Sequence, residues 1–174
     1  METIIVDPGL YPQWNRIIRE NFEPDIFHSS EWAQVLKEAY SFRPVYFVAC
    51  ENKQSVALIP LSEVGSWVSG KRGVSLPFSD YCNFLSNNDE YLKLLMEQIK
   101  NYGQRQNWKY VEFRSFYYVE EAEPSESFFT HDLDLTRLSS KLWSGLKDSC
   151  RRNIKKATRE GVKIEIGRSW SSLE

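Results

Sequence analysis

Two apolar runs, RPVYFVACE at 43–51 and SVALIPLSEVG at 55–65, are separated only by Asn52-Lys53-Gln54, and no other feature narrows the fold as much. A link that short cannot carry a crossover, so the runs form an antiparallel hairpin. Pro60 has no N–H to give a ladder and is expected at an edge or a bulge. TIIV (3–6), WKYVEFR (108–114), THDLDL (130–135) and VKIEI (162–166) read as further strands. Ser66 to Gly73 reads as a loop with Gly70-Lys71-Arg72-Gly73 at its tip, followed by a short extended piece, 74–76. Helical spacing marks Leu10 to Asn21, with Pro12 tolerated only in the first turn, and SSEWAQVLKEAY, capped by Ser29 or Ser30. It also marks Asp89 to Gln106, which carries Asp89 and Glu90 in its first turn. Phe116 to Ser127 is acidic and loop-like. Helices alternating with strands in this order imply an α/β layer with a mixed sheet, and 174 residues suffice for one domain, 1–174, without disulfides or metals.

The second constraint is the basic stretch from Lys141 to Gly161. Leu142, Leu146, Cys150, Ile154 and Ala157 place an apolar stripe along one helix, for which Ser139 and Ser140 offer cap hydroxyls and Gly161 a left-handed stop. Off the stripe lie Lys147, Arg151, Arg152, Lys155, Lys156 and Arg159. With Lys141, seven cations face only Asp148 and Glu160, a local +5 in a chain of net charge −2. Such an anisotropic field favours a phosphorylated or carboxylated partner, although cations near a helix C-terminus are also at home as a solvated face.

Cys50, Cys82 and Cys150 are odd in number and lack metal-ligand spacing, which argues against a disulfide scaffold or a zinc site. No apolar run is long enough to span a bilayer and METIIVDPG lacks a signal-peptide shape, so a cytoplasmic location is expected. Leu173-Glu174 after SWSS resembles residual cloning sequence, as at the end of a fragment. Gly-rich dinucleotide and phosphate loops and H-E-x-x-H are missing. His28 and His131 have no evident nucleophile or metal partner and read as structural; Cys150 falls in the apolar stripe and is expected to be buried. The loop Pro77-Phe78-Ser79-Asp80-Tyr81-Cys82-Asn83 concentrates a carboxylate, a phenol and an amide after a strand. Asp80 can accept from a ligand hydroxyl or ammonium, and Tyr81 can stack and donate. Equally, Ser79 and Asp80 form a local turn while Tyr81 plugs the core.

Taken together, FHSSEWAQVLKEAY, ALIPL, LPFSDYCNFL, WKYVEFRS and HDLDL…LWSGLKDSCRRNIKKATREGVKIEI occur in an order that resembles the Fem-type (FemAB-like) aminoacyltransferases, which build peptidoglycan interpeptide bridges. The resemblance covers most of the chain and is most specific in the R-R-N-I-K-K-A run. It implies the first of two GNAT-like halves: a mixed, largely antiparallel sheet flanked by helices. The implied parent enzyme uses aminoacyl-tRNA as donor, needs no other cofactor, and takes a nucleotide (UDP)- or lipid-linked muropeptide, or a related envelope precursor, as acceptor. Trp32, Lys37, Asp80 and Tyr81 fall in the segments matching the acceptor groove, and Arg151, Arg152 and Lys155 match the basic-helix signature; all are carried over as binding residues. No catalytic residue is assigned, and the isolated half is expected to be inactive until a second lobe joins it.

Two other classes compete. A CoA-dependent N-acetyltransferase would share the fold but needs a Gly-rich pyrophosphate cradle, which is missing. A non-enzymatic RNA- or nucleic-acid-binding module would use the basic helix and weaken steeply with salt.

Overall fold

The computed structural model describes residues 1–115, 124–131 and 133–167. Met1–Glu123 and Pro124–Glu174 form two compact units. The acidic residues 116–123 and the terminal residues 168–174 lie outside the described residues.

In the first unit the predicted hairpin is present and continues through two sheets. Its arms are β2 (Arg43–Pro44) with β3 (Tyr46–Glu51), and β4 (Gln54–Ile59) with β5 (Ser62–Ser66). Asn52 and Lys53 take φ of 49° and 66°, so the turn is the two-residue kind with both central residues left-handed. Pro60 sits where the ladder passes from one sheet to the other, and Val45 N–H still donates to the Leu61 carbonyl at 2.8 Å. The first sheet has the order β1-β3-β4-β7, all antiparallel, with β1 Glu2–Val6 and β7 Leu85–Ser86. The second has the order β2-β5-β6-β8, with β6 Gly70–Val74 and β8 Trp108–Glu112. In it β6 and β8 are parallel and joined through α3 (Asp89–Arg105). The architecture is α/β with largely antiparallel sheets flanked by helices.

Burial on both faces explains why β3 does not alternate: Tyr46, Phe47, Val48 and Ala49 are all buried. Tyr46 and Val48 join α1 (Trp14–Asn21) and α2 (Ser30–Tyr40) through Trp14, Ile18, Ala33 and Leu36. Phe47 and Ala49 face α3 through Leu92, Leu95 and Ile99. Ser29 caps α2 as expected, accepting from Trp32 N–H at 3.2 Å, and Asn88 caps α3 through Glu90 N–H at 2.9 Å. The first helix begins at Trp14 instead of Leu10, which is left exposed; Pro12 precedes the helix, and Gln13 at φ 58° turns the chain into it.

Two strands depart from the expected pattern. Residues 70–73, expected as a loop tip because two glycines bracket Lys71-Arg72, form β6 together with Val74, since pairing with β5 and β8 satisfies the backbone on both sides. In β8 the pairing slips between Lys71↔Trp108 and Gly73↔Val111, and this bulge leaves Tyr110 exposed while Trp108, Val111 and Phe113 pack on the α3 core. Trp108 lies flat on Gly73, where an added Cβ would come within 2.3 Å of its ring.

The second unit corrects three expectations. The single basic helix is two, α4 (Ser139–Gly145) and α5 (Asp148–Arg159), parted by extended backbone at Leu146 and Lys147. Leu138, not a serine hydroxyl, occupies the first cap, and Ser144-Gly145 supplies little helix propensity across the break. The break also displaces the stripe, so Cys150 and Ile154 are exposed instead of buried. The stop at Gly161 is as expected: φ is 79°, Gly161 N–H donates to the Thr158 carbonyl and Val162 N–H to that of Ala157. Neither 130–135 nor 162–166 is a strand among the described residues. Asp134 instead accepts from the Thr136 N–H and hydroxyl, a local turn that competes with extension, while Ile164 and Ile166 remain exposed with no partner strand among the described residues.

Candidate functional site

A cleft of about 220 Å³ opens in the first unit beside the parallel pair. Register places Val64 opposite Arg72 and Val74 opposite Glu112, so one sheet face supplies two valines, a guanidinium and a carboxylate. Phe42 and Phe78 wall the cleft, with ring centroids 6.2 Å apart and Tyr40 set 4.6 Å from Phe78.

The roof is the loop that sequence reading singled out. Leu76 and Phe78 take φ of 50° and 65° on either side of Pro77, a conformation that costs side-chain-bearing residues and persists only where neighbours enforce it. Those neighbours are present. Leu76 is buried, and its carbonyl accepts from the Ser79 hydroxyl at 2.7 Å. Arg114 ties the loop to the sheet: its carbonyl accepts from Cys82 N–H at 2.6 Å, its N–H donates to Ser75 Oγ at 2.9 Å, and its Nη1 donates to the Ser79 carbonyl at 3.1 Å. Its Nε lies 2.6 Å from Glu112 Oε1, so this guanidinium is committed. Arg72, half-buried, has no carboxylate partner among the described residues. Among the described residues the cleft therefore offers a guanidinium with no carboxylate partner beside an apolar and aromatic wall, which suits a ligand bearing a phosphate or carboxylate.

Behind the roof, His28 is buried with Nδ1 2.8 Å from Asp25 Oδ1, Nε2 2.8 Å from the Asn83 carbonyl, and Cys82 Sγ 3.8 Å from Nε2. The order thiol–imidazole–carboxylate is that of a nucleophilic triad, but the chemistry is not. Cys82 is fully buried, desolvation pushes its thiol well up, and Nε2 is occupied by a carbonyl that can only accept a proton donor. The cluster pins the roof loop to the turn before α2. Burial works to raise the Asp25 carboxyl, but the His28 hydrogen bond and charge together with the Phe27 and His28 amides hold it below its ordinary value. A carboxyl depressed in the folded state adds stability above its unfolded pKa, about 4, and loses it as pH falls through the folded value. Acid unfolding should therefore carry a contribution below about pH 4 that Asp25→Asn removes, as read by circular dichroism across an acid titration.

The residues carried over from the resemblance divide between the units. Trp32 packs on the core cluster that includes Leu76 and Cys82, edge-on to Phe27 at 5.3 Å, and its buried Nε1–H has no partner among the described residues. Lys37 leaves α2 elsewhere and pairs with Asp7 at 2.8 Å. Asp80 is exposed at the roof and Tyr81 half-buried beside it. In the second unit Arg151 binds Asp148 and, at 3.0 Å, the Ser144 carbonyl, bracing the helix break; Arg152 and Lys155 are exposed. Sequence reading missed Arg72, Arg114, Phe42 and Phe78. The strand period around Gly73 was the available signal for Arg72, hidden by the flanking glycines.

No family model matches the chain, and no curated protein matches it. Among solved structures it is similar to a ribosomal-protein-alanine N-acetyltransferase from Brucella melitensis biovar Abortus 2308 (TM-score 0.48, 8% identity, 76% of this chain and 100% of that one). It is similar also to an aminoglycoside N-acetyltransferase in complex with CoA (0.44, 10%, 76% and 99%). A third is an aminoglycoside 6'-N-acetyltransferase from Acinetobacter haemolyticus (0.43, 12%, 77% and 100%). Identities of this size transfer neither substrate nor site.

Proposed function

We propose that the chain is the acceptor-binding lobe of a Fem-like aminoacyltransferase, the first of two GNAT-like halves. The acceptor is a UDP- or lipid-linked muropeptide or a related anionic envelope precursor. The observation that carries this reading is the half-buried Arg72 guanidinium, without a carboxylate partner among the described residues, in an aromatic-walled cleft beside parallel strands, where open α/β sheets hold ligands. Arg72 takes a phosphate or carboxylate oxygen, Phe42 and Phe78 cover the adjoining apolar part, and Asp80 at the rim accepts from a ligand ammonium or hydroxyl. Tyr81, half-buried beside Asp80, serves the same groove in this reading, whereas Trp32, packed on the core, and Lys37, paired with Asp7, do not line it. In the second unit Arg152 and Lys155 serve the phosphates of aminoacyl-tRNA in this reading, with Arg151 bracing their helix. Transfer joins an activated ester to an amine, so holding the two in line contributes most of the rate and demands little covalent chemistry from the protein. The second lobe completes the reaction.

One feature disfavours CoA as the donor. The N-terminus of α3, which follows β7 and is the helix entry at which a pyrophosphate would be cradled, carries Asp89 and Glu90, and its Glu90 N–H is already used by Asn88. For the acceptor, titration calorimetry with a UDP-linked muropeptide should show binding that Arg72→Ala weakens by about tenfold or more. Equal affinity for the two proteins would remove Arg72, and the cleft with it, from the proposal.

A further inference from the structure

The tip of the β5–β6 hairpin is built for contact with something outside the chain. Trp67 and Val68 occupy it, Trp67 fully exposed and Val68 88% exposed. The tip is nonetheless ordered. The strands pair up to Ser66↔Gly70, Ser69 N–H donates to Ser66 Oγ at 2.9 Å, the two hydroxyls are 2.6 Å apart, and Gly70 turns the chain at φ 74°. An ordered turn that holds an indole and a valine in water gains nothing within this unit from burying them.

Cations stand directly behind. Arg43 and Lys71 line a cleft of about 410 Å³ together with Trp67, and the Lys109 side chain lies across Gly70, its Nζ 3.2 Å from where a Cβ would be. The carboxylate in that cleft, Glu63, is 91% buried by its neighbours and engaged by the Trp108 indole N–H at 2.7 Å, with Lys71 at 3.4 Å and Arg43 at 4.0 Å, so it offsets one of the three positive charges. What faces outward is an apolar tip backed by three exposed cations that outnumber the one buried carboxylate among them.

We propose that this hairpin docks the protein on an anionic phospholipid surface, Trp67 and Val68 entering the headgroup–acyl boundary while Arg43, Lys71 and Lys109 meet lipid phosphates. Single-stranded RNA is the other polyanion that an exposed Trp beside cations can engage, by stacking. The tip argues against it. Trp67 lies against no other ring among the described residues and has no platform on which to sandwich a base, and Val68 beside it offers a base nothing. A soft apolar medium accepts both side chains without a preformed groove. The inference stands apart from the acceptor reading, since none of these residues lines the Arg72 cleft.

Sedimentation with vesicles tests it. The full chain should pellet with phosphatidylcholine vesicles containing about one third phosphatidylglycerol and far less with phosphatidylcholine alone. Trp67→Ala with Val68→Ser should lower the partition about tenfold or more, as should Arg43→Gln with Lys71→Gln. Brominated acyl chains should quench wild-type fluorescence, and Trp67→Phe should abolish most of that quenching while still pelleting. All these side chains are at the surface, and an unchanged thermal midpoint confirms that the variants fold. Equal partition of wild type and the tip variant overturns the proposal. So does failure to bind anionic vesicles combined with Trp67-dependent binding of a single-stranded RNA oligonucleotide.

Discussion

Gly73→Ala should lower stability by about 3 kcal/mol and the thermal midpoint by about 6–12 °C. The added Cβ would lie 2.3 Å from Trp108 Cζ3 and 2.8 Å from two further ring atoms, and the ring has nowhere to go. Its indole N–H is held by Glu63 at 2.7 Å, its edge meets Tyr102 at a centroid distance of 5.3 Å, and Gly103 of α3 closes the other side, where a Cβ would be 3.0 Å away. Accommodating one methyl therefore breaks a part-buried, charge-assisted hydrogen bond or separates β6 from α3. Denaturant unfolding of Gly73→Ala, Trp108→Leu and the double variant measures the clash directly. The smaller side chain relieves it, so the double variant should be less destabilised than the sum of the single effects. A Gly73→Ala protein within about 0.5 kcal/mol of wild type would mean that the strand–tryptophan–helix wedge is not as tight as described.

The second large effect is expected at His28. Replacing it by alanine removes a buried ring, leaves the Asn83 carbonyl without its donor, and strips Asp25 of the partner that keeps its carboxylate satisfied. A loss of about 3–4 kcal/mol follows from the cavity and the orphaned groups together. The effect should also be visible locally. His28 is the link between the turn before α2 and the roof loop, so Cys82, fully buried in the intact protein, should become accessible to a thiol reagent before the rest of the molecule unfolds. Peptide mapping distinguishes it from the exposed Cys150. Labelling of Cys82 at the wild-type rate, with stability unchanged, would show that the imidazole fills space without anchoring anything.

These two positions illustrate how differently the molecule's parts could be read in advance. The hairpin at 43–65, α2 with its Ser29 cap, α3 with its acidic first turn and the glycine stop at 161 depend on interactions within a few residues, and local spacing announces them. The roof loop was legible as a place of interest because polar and aromatic residues crowd a connection. Its geometry was not, since the two left-handed residues around Pro77 are held by Arg114, which is distant in sequence. Of the two His28 partners, Asp25 lies three residues away and was open to local reading, whereas the Asn83 carbonyl lies 55 residues away and was not. The segments at 130–135 and 162–166 show the converse: alternation marks a face that can pair, but a strand exists only where another strand supplies the hydrogen bonds.

The amino-acid sequence by itself therefore determined the α/β class, the antiparallel hairpin, most helix boundaries in the first unit and the concentration of cations near its end. These follow from periodicity, caps and turn residues, whose energetics are local. Only the tertiary structure decided that Pro60 divides the hairpin between two sheets and that Gly70–Val74 is a strand. It alone turned Arg72 into a cleft lining, committed Arg114 to the roof, and left Trp67 in water. Each of those outcomes depends on which distant groups arrive to satisfy a backbone bond or a charge, and no window along the chain contains both partners.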